Sequence, residues 1–490
     1  PHKNSDFRLI FESGSILYAL ASHHLATSSL VMGIPPLVKA VHLGLVPQGV
    51  SPLLARTFAL CGMYAWTYFF DSKLADRFFA AALRIESEVY DVPTVATVTR
   101  LHAQYTLYTG LLNKSITQSS TASRICSHAG LADDASFLAA KKLEGDGHFY
   151  RGHISDALSC YETALNLLSD TKTFSQLWNE VGRGQCLLHM VDRGLEFEAT
   201  IKMCNSFIEA FSSKALRILA GSNIVAIKSL TLLHHVRHPG LIKKLSIRQL
   251  DGVAEDLTAV TSFNSAVALV QLIEVYLGIA EAMLITELTR SEQTVGHKFA
   301  DGKGMRRLVR SRMRIVFGLG FLVPHATKYL SHVYPIEERH LVMNKIYSHL
   351  KVLSGGTRVF RILIPSYKRL SGIFHALEGR HRLAATKWKQ AAGEASKQNM
   401  DLEEILIALA SIRYSEDSKS ADVSKKMKEY SVRLNDLGAT AIAKTAEFEG
   451  ILRSRGDDYV ASLFGLSMFW ENIEKVKSLT EMEELLFSVQ

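Results

Sequence analysis

The densest group of metal-competent side chains is "HHVRH": His234, His235 and His238. His234 and His238 stand at i and i+4, a spacing that puts two imidazoles on one helical face and can chelate zinc. No Glu or Cys stands nearby to complete a ligand set, and Pro239 follows at once. The group therefore reads as a histidine-rich helix C-terminus, where the helix dipole favours such residues. Five cysteines (Cys61, Cys126, Cys160, Cys186, Cys204) are far apart, with no CxxC pair. That argues against a zinc ribbon or a disulfide framework and fits a reducing, cytoplasmic compartment. They are expected to be small buried hydrophobes.

Phosphate and dinucleotide chemistry fare no better. "GHKFADGKG" (Gly296 to Gly304) contains a Gly-Lys pair but has the wrong preceding spacing, and no Ser or Thr follows the lysine, so it is not a P-loop. "FGLGFLVPH" (Phe317 to His325) lacks the third glycine of a dinucleotide fingerprint and reads as a helix break. "SGG" (Ser354 to Gly356) reads as a turn between helices. No catalytic, cofactor-binding or metal-binding residue is assigned.

Charge offers the one binding candidate. Lys298, Lys303, Arg306, Arg307, Arg310, Arg312 and Arg314 face a single acid, Asp301, within 17 residues. Seven minus one is +6, most of the chain's net +8. Drawn as a helix from Met305, the segment puts Arg306, Arg310 and Arg314 on one face. Met305, Leu308, Val309, Met313 and Val316 lie towards another. Lys303, Arg306, Arg307, Arg310 and Arg314 are thus candidates for docking an acidic protein partner; the bland alternative is a solvated face of a packed helix. An anionic lipid surface fits less well, and nucleic acid is not expected because no aromatic side chains interleave with the charges.

The elements that must carry these residues are helices. No proline occurs from Thr94 to His238, a stretch of 145 residues without the strongest helix breaker. Ala157, Leu158, Tyr161, Ala164, Leu165 and Leu168 mark one helical stripe. No run alternates apolar and polar residues as a half-buried strand would. With 47% hydrophobic and 21% charged residues the chain is a folded protein, and at 490 residues it is too long for one compact core. The longest uncharged apolar run, Thr57 to Phe70, is shorter than the roughly 20 residues of a membrane span and reads as a buried helix.

A spacing rule recurs. Gly145, Gly152, Ala157, Tyr161 and Ala164 are separated by 7, 5, 4 and 3 residues, and so are Gly372, Gly379, Ala384, Trp388 and Ala391. The first glycine falls mid-helix, where it permits close approach of a neighbour. The second falls where a helix must stop in a left-handed cap. The first alanine marks a close helix crossing, and the aromatic and last alanine continue that stripe. Weaker copies keep part of the rule: Ala75, Phe79 and Ala82; Gly110, Ser115, Ser119 and Ala122; Gly194 and Ala199. The crossing position then recurs at 75, 115, 157 and 199, a period of about 40 to 42.

This hairpin rule resembles the tetratricopeptide repeat with longer helices. The stretch from Arg358 to Ala408, "RVFRILIPSYKRLSGIFHALEGRHRLAATKWKQAAGEASKQNMDLEEILIALA", with "LIEVYLGIAEAML" at Leu272 to Leu284, resembles the C-terminal helical region of multidomain signalling ATPases related to soluble, class III adenylyl and guanylyl cyclases. The resemblance implies cyclase or kinase domains and a P-loop ATPase module upstream, with ATP and magnesium bound there and none in this chain. Pro1 in place of Met is read as a fragment or a processed product.

The expected fold is an all-α, TPR-like superhelix of antiparallel hairpins in two lobes. Residues 1–54 are N-terminal helices, 55–288 a first lobe, 289–314 the basic loop and helix start, and 315–490 a second lobe. The expected function is non-catalytic: partner docking, or docking of the parent's own ATPase or cyclase domains, in a concave groove. A free-standing TPR adaptor is the first alternative, and a helical enzyme with a site inside the superhelix the second.

Overall fold

A computed structural model describes residues 12–22, 30–45, 51–131, 135–167, 174–190, 193–210, 263–280, 339–414 and 420–447, apart from a few single positions within them. The described residues are helical, with no strand among them. In chain order the helices are α1 (residues 12–22), α2 (Leu30–Leu45), α3 (Pro52–Phe69), α4 (Ser72–Val89), α5 (Val92–Tyr108), α6 (Leu112–His128), α7 (Ala135–Arg151), α8 (Ile154–Asn166), α9 (Phe174–Leu188) and α10 (Gly194–Ala210). They continue with α11 (residues 265–278), α12 (Arg339–Gly356), α13 (Ile364–Leu377), α14 (His381–Gln398), α15 (Asp401–Arg413) and α16 (Ser420–Asp436). The expected all-α hairpin array is what the chain forms.

Local chemistry sets the helix ends. Ser51 caps α3 by accepting a hydrogen bond from the Leu54 amide at 3.1 Å, with Pro52 in the first turn. Asp91 caps α5 in the same way, accepting from the Thr94 amide at 3.0 Å. The expected buried helix at Thr57 to Phe70 is α3, whose residues from Leu53 to Trp66 are mostly buried. Among the described residues no helix is long and apolar enough to cross a membrane.

The helices stack in two layers. The first helices of successive hairpins, α3, α5, α7 and α9, pack against one another. Each of α4, α6 and α8 packs against the first helix before it and the one after it. The C-terminal helices α12 to α16 pack in sequence, and α15 also packs on α7. One hydrophobic core runs from Ala103 of α5 through α7 to α11 and on to Ala446. The boundary expected at 289–314 lies outside the described residues, and helices from both sides of it share this core.

Two sequence expectations change. Ser354 to Gly356 do not form the turn; they complete the last turn of α12, and the chain turns at Thr357 to Val359. Ala199 is exposed, whereas Thr200, Cys204 and Phe207 are buried and keep the 4 and 3 spacing one residue later. A small side chain alone did not identify the crossing position.

Candidate functional site

The two hairpins with the full spacing, α7–α8 and α13–α14, are built alike. Gly145 lies in α7 opposite Tyr161 of α8, and a methyl group at Gly145 would come within 2.6 Å of the Tyr161 ring. Gly372 in α13 is opposite Trp388 of α14, and a methyl there would come within 2.6 Å of the indole Cδ1. Ala157, Ala164, Ala384 and Ala391 are fully buried, as are the crossing positions Ala75 and Ser115 of the weaker copies. Gly152 and Gly379 adopt φ of 95° and 79°, the left-handed region that favours glycine. Their turns carry the same bonds: Gly152 N–H to Phe149 O and His153 N–H to His148 O in one, Gly379 N–H to Ala376 O and Arg380 N–H to His375 O in the other.

These turns face different surroundings. Nothing lies near Gly379, but a methyl at Gly152 would sit 2.7 Å from the Leu402 amide nitrogen. The turn between α7 and α8 therefore seats the start of α15. Beside it, Ile154 N–H donates to Leu437 O at 2.9 Å, and Ala441 N–H donates to His189 O at 3.0 Å. Towards the N-terminus, Trp66 Nε1 donates to Val359 O at 2.9 Å and Tyr108 stands edge-on to Phe360 at 4.9 Å. The inner layer of the first array is thus packed against the chain's own later helices.

Two buried polar groups lie on either side of this seam, one among the later helices and one within the α7–α8 hairpin. Arg369 of α13 donates to Glu403 Oε1 of α15 at 2.7 Å and to Glu274 Oε1 of α11 at 2.6 Å. Asp146 accepts from the Tyr161 hydroxyl at 2.8 Å and pairs with Lys142. Burial pushes the Tyr161 hydroxyl far above its ordinary value, with the Asp146 charge acting in the same direction, so it stays protonated and donates.

The reactive side chains gather on the same hairpin. Glu144, His148 and Cys160 bring ligand atoms within 4.8 Å of one another, and so do His148, His153 and Asp156. Burial pushes the Cys160 thiol up to about 12, with Glu144 adding to it, and burial likewise raises Cys61, Cys186 and Cys204. All five cysteines are buried, as expected, and these four are held as inert thiols. Burial holds His148 below its usual range, against the opposing charges of Asp156 and Glu144.

The basic positions Lys303, Arg306, Arg307, Arg310 and Arg314 lie outside the described residues, as do His234, His235, His238 and the stretches Gly296 to Gly304 and Phe317 to His325. The ten spacing positions all lie within them. No single-helix spacing joins His148, His153 and Asp156, although "HFYRGHISD" contains all three. No protein-family model matches the chain, and no curated protein matches it.

Proposed function

We propose that the chain is the non-catalytic interaction and regulatory region of a larger cyclase-like or P-loop ATPase signalling protein, acting in the cytoplasm. One observation supports this reading above the others. The layer α3–α5–α7–α9 holds later segments of the same chain through backbone, indole and ring contacts. An array that seats helices in this way is a device for holding protein segments. With the inner layer engaged, the docking surface for an acidic partner, or for the parent's own ATPase module, is assigned to the basic segment of Lys303, Arg306, Arg307, Arg310 and Arg314.

The test has two parts. The reading frame upstream of the codon for Pro1 is expected to encode a P-loop ATPase module; a start codon directly before it would leave an adaptor and refute the parentage. That module, expressed separately, is expected to be captured by this chain in a pull-down. Capture should weaken when Arg306, Arg310 and Arg314 are changed to Glu, and again when salt is raised, because exposed charges are screened beyond about 8 Å at physiological ionic strength. Equal recovery by wild type and variant at both salt concentrations refutes the basic docking surface.

A further inference from the structure

We propose that His148, His153 and Asp156 form a divalent transition-metal site, with zinc the preferred ion, at the turn between α7 and α8. Asp401 of α15 stands behind it as the carboxylate that orients His153. The proposal goes beyond the scaffold reading and does not depend on it.

The turn itself sets the two imidazoles. His148 lies in the last turn of α7, and His153 follows the left-handed Gly152. Their backbones are joined by the His153 N–H to His148 O bond at 2.9 Å, and their rings lie 6.2 Å apart. Asp156, in the first turn of α8, brings Oδ2 to 3.3 Å from His153 Nδ1 and 3.9 Å from His148 Nδ1. All three ligand atoms lie within 4.8 Å of one another. Tetrahedral zinc, with bonds of about 2.0–2.2 Å, separates its ligand atoms by about 3.3–3.6 Å. Asp156 Oδ2 already stands at that spacing from His153 Nδ1 and 3.9 Å from His148 Nδ1, on a side chain that is 61% exposed.

A second observation points to a ligand. His148 Nδ1 is buried and has no hydrogen-bond partner among the described residues. A buried nitrogen left unsatisfied is costly, and a metal bond satisfies it. The attraction of an acidic residue to a helix N-terminus accounts for Asp156 alone. It does not account for two imidazoles turned to the same carboxylate oxygen, one of them otherwise unpartnered.

The surroundings complete the arrangement. His153 Nε2, the nitrogen on the far side of the ring, lies 3.8 Å from Asp401 Oδ2. Brought to hydrogen-bond distance, a carboxylate on that side fixes the tautomer and raises the basicity of a ligating imidazole. The deeper trio of Glu144, His148 and Cys160 is the poorer site, because the Lys141 ammonium already sits 2.8 Å from Glu144 Oε2. Two nitrogen donors in three favour zinc and its neighbours over magnesium or calcium, which select oxygen. Three protein ligands leave the fourth position to water on the exposed side. Because Asp401 belongs to α15, an ion here would fasten the C-terminal helices to the α7–α8 turn.

The experiment titrates the full chain, stripped with EDTA and dialysed, with Co2+ and reads visible d–d absorption; Zn2+ is then added as competitor. Wild type is expected to take up one equivalent with a tetrahedral-type band that Zn2+ abolishes and a hundredfold excess of Mg2+ does not. His153→Gln and Asp156→Asn should each weaken binding at least tenfold, and Asp401→Asn about tenfold. The paired change His234→Gln, His238→Gln should leave it unaltered. Zn2+ should raise the melting temperature of wild type but not of Asp156→Asn, a largely exposed substitution that keeps the test valid if His148→Gln fails to fold. Absence of stoichiometric binding overturns the proposal. So does binding that survives His153→Gln and Asp156→Asn, or that is lost in the His234/His238 variant instead.

Discussion

At position 145 the missing methyl group decides whether two helices can touch, because the Tyr161 ring occupies the space a Cβ would need. Gly182 of α9 presses on the same ring from another helix, again with a methyl position 2.6 Å from Cε1. Gly372 and Trp388 repeat the first of these contacts 227 residues later, so each aromatic is a filler cut to a glycine. Gly62 and Phe79 make a third such pair, with partners 17 positions apart in place of 16. That one-residue difference hid Gly62 from a fixed spacing rule. The residue scale was legible where residue type carries the constraint: glycine for close approach, alanine for crossing, aromatic for filling. It was not legible at His148, His153 and Asp156, because their spacing crosses a turn and no single-helix rule joins them. Ala157→Leu or Ala384→Leu should overpack the crossing and cost roughly 1–3 kcal/mol. Gly372→Ala should cost a similar amount by forcing Trp388 aside, about 1–3 kcal/mol. Unchanged thermal melting in all three variants would refute the hairpin packing described above.

The hairpin, at the next scale, depends on how its two helices are joined. Gly110, Gly130, Gly152, Gly379 and Gly438 all have positive φ, and each follows a helix whose last carbonyls accept from the turn amides. Asn399 does the same with φ of 57°, using the residue type that best tolerates that region after glycine. Such turns were readable in advance because glycine marks them. The slip at Ala199 shows the limit: α10 keeps the spacing on Thr200, Cys204 and Phe207, and only burial reveals which frame is in use. A comparison of two equivalent glycines isolates the backbone cost from the packing cost. Gly379→Ala has free space around it and should cost about 1–2 kcal/mol for the left-handed conformation. Gly152→Ala carries the same cost and also collides with the Leu402 backbone, so it should melt distinctly lower. Equal melting temperatures would show that α15 does not rest on that turn.

At the scale of the whole molecule, Arg369 is the pin. Its guanidinium, almost wholly buried, holds carboxylates from α11 and α15 while its own helix α13 pairs with α14. Removing one partner of a buried ion pair leaves an uncompensated charge, which typically costs about 3–5 kcal/mol. Arg369→Met should therefore destabilise by that amount in chemical denaturation. Adding Glu403→Gln should recover part of the loss, since Glu403 is buried and then no longer charged. A second loss of the same size in the double variant would mean that the two residues act independently. None of this was legible in the sequence. Contacts between Glu274 and Arg369, or between Trp66 and Val359, span 95 and 293 residues and leave no local periodicity. The charged stretch expected to separate two lobes lies outside the described residues, while the core shared by helices on either side of it is made by side chains far apart in the chain.

A stack in which each repeat touched only its neighbours could fold piece by piece as it is made. The seat of α15 on α7, and of Val359 on Trp66, prevents that here, because the chain has high contact order along this seam. At about 5–20 residues per second, the stretch from the end of α9 to Ala446 takes a ribosome roughly 10–50 s to make. Throughout that interval the apolar side of α3, α5, α7 and α9 has no cover from its own C-terminal helices. Synthesis of this chain should therefore lean on chaperones that shield nascent apolar surface, and a premature stop codon anywhere before α15 should yield aggregate rather than a shorter working array.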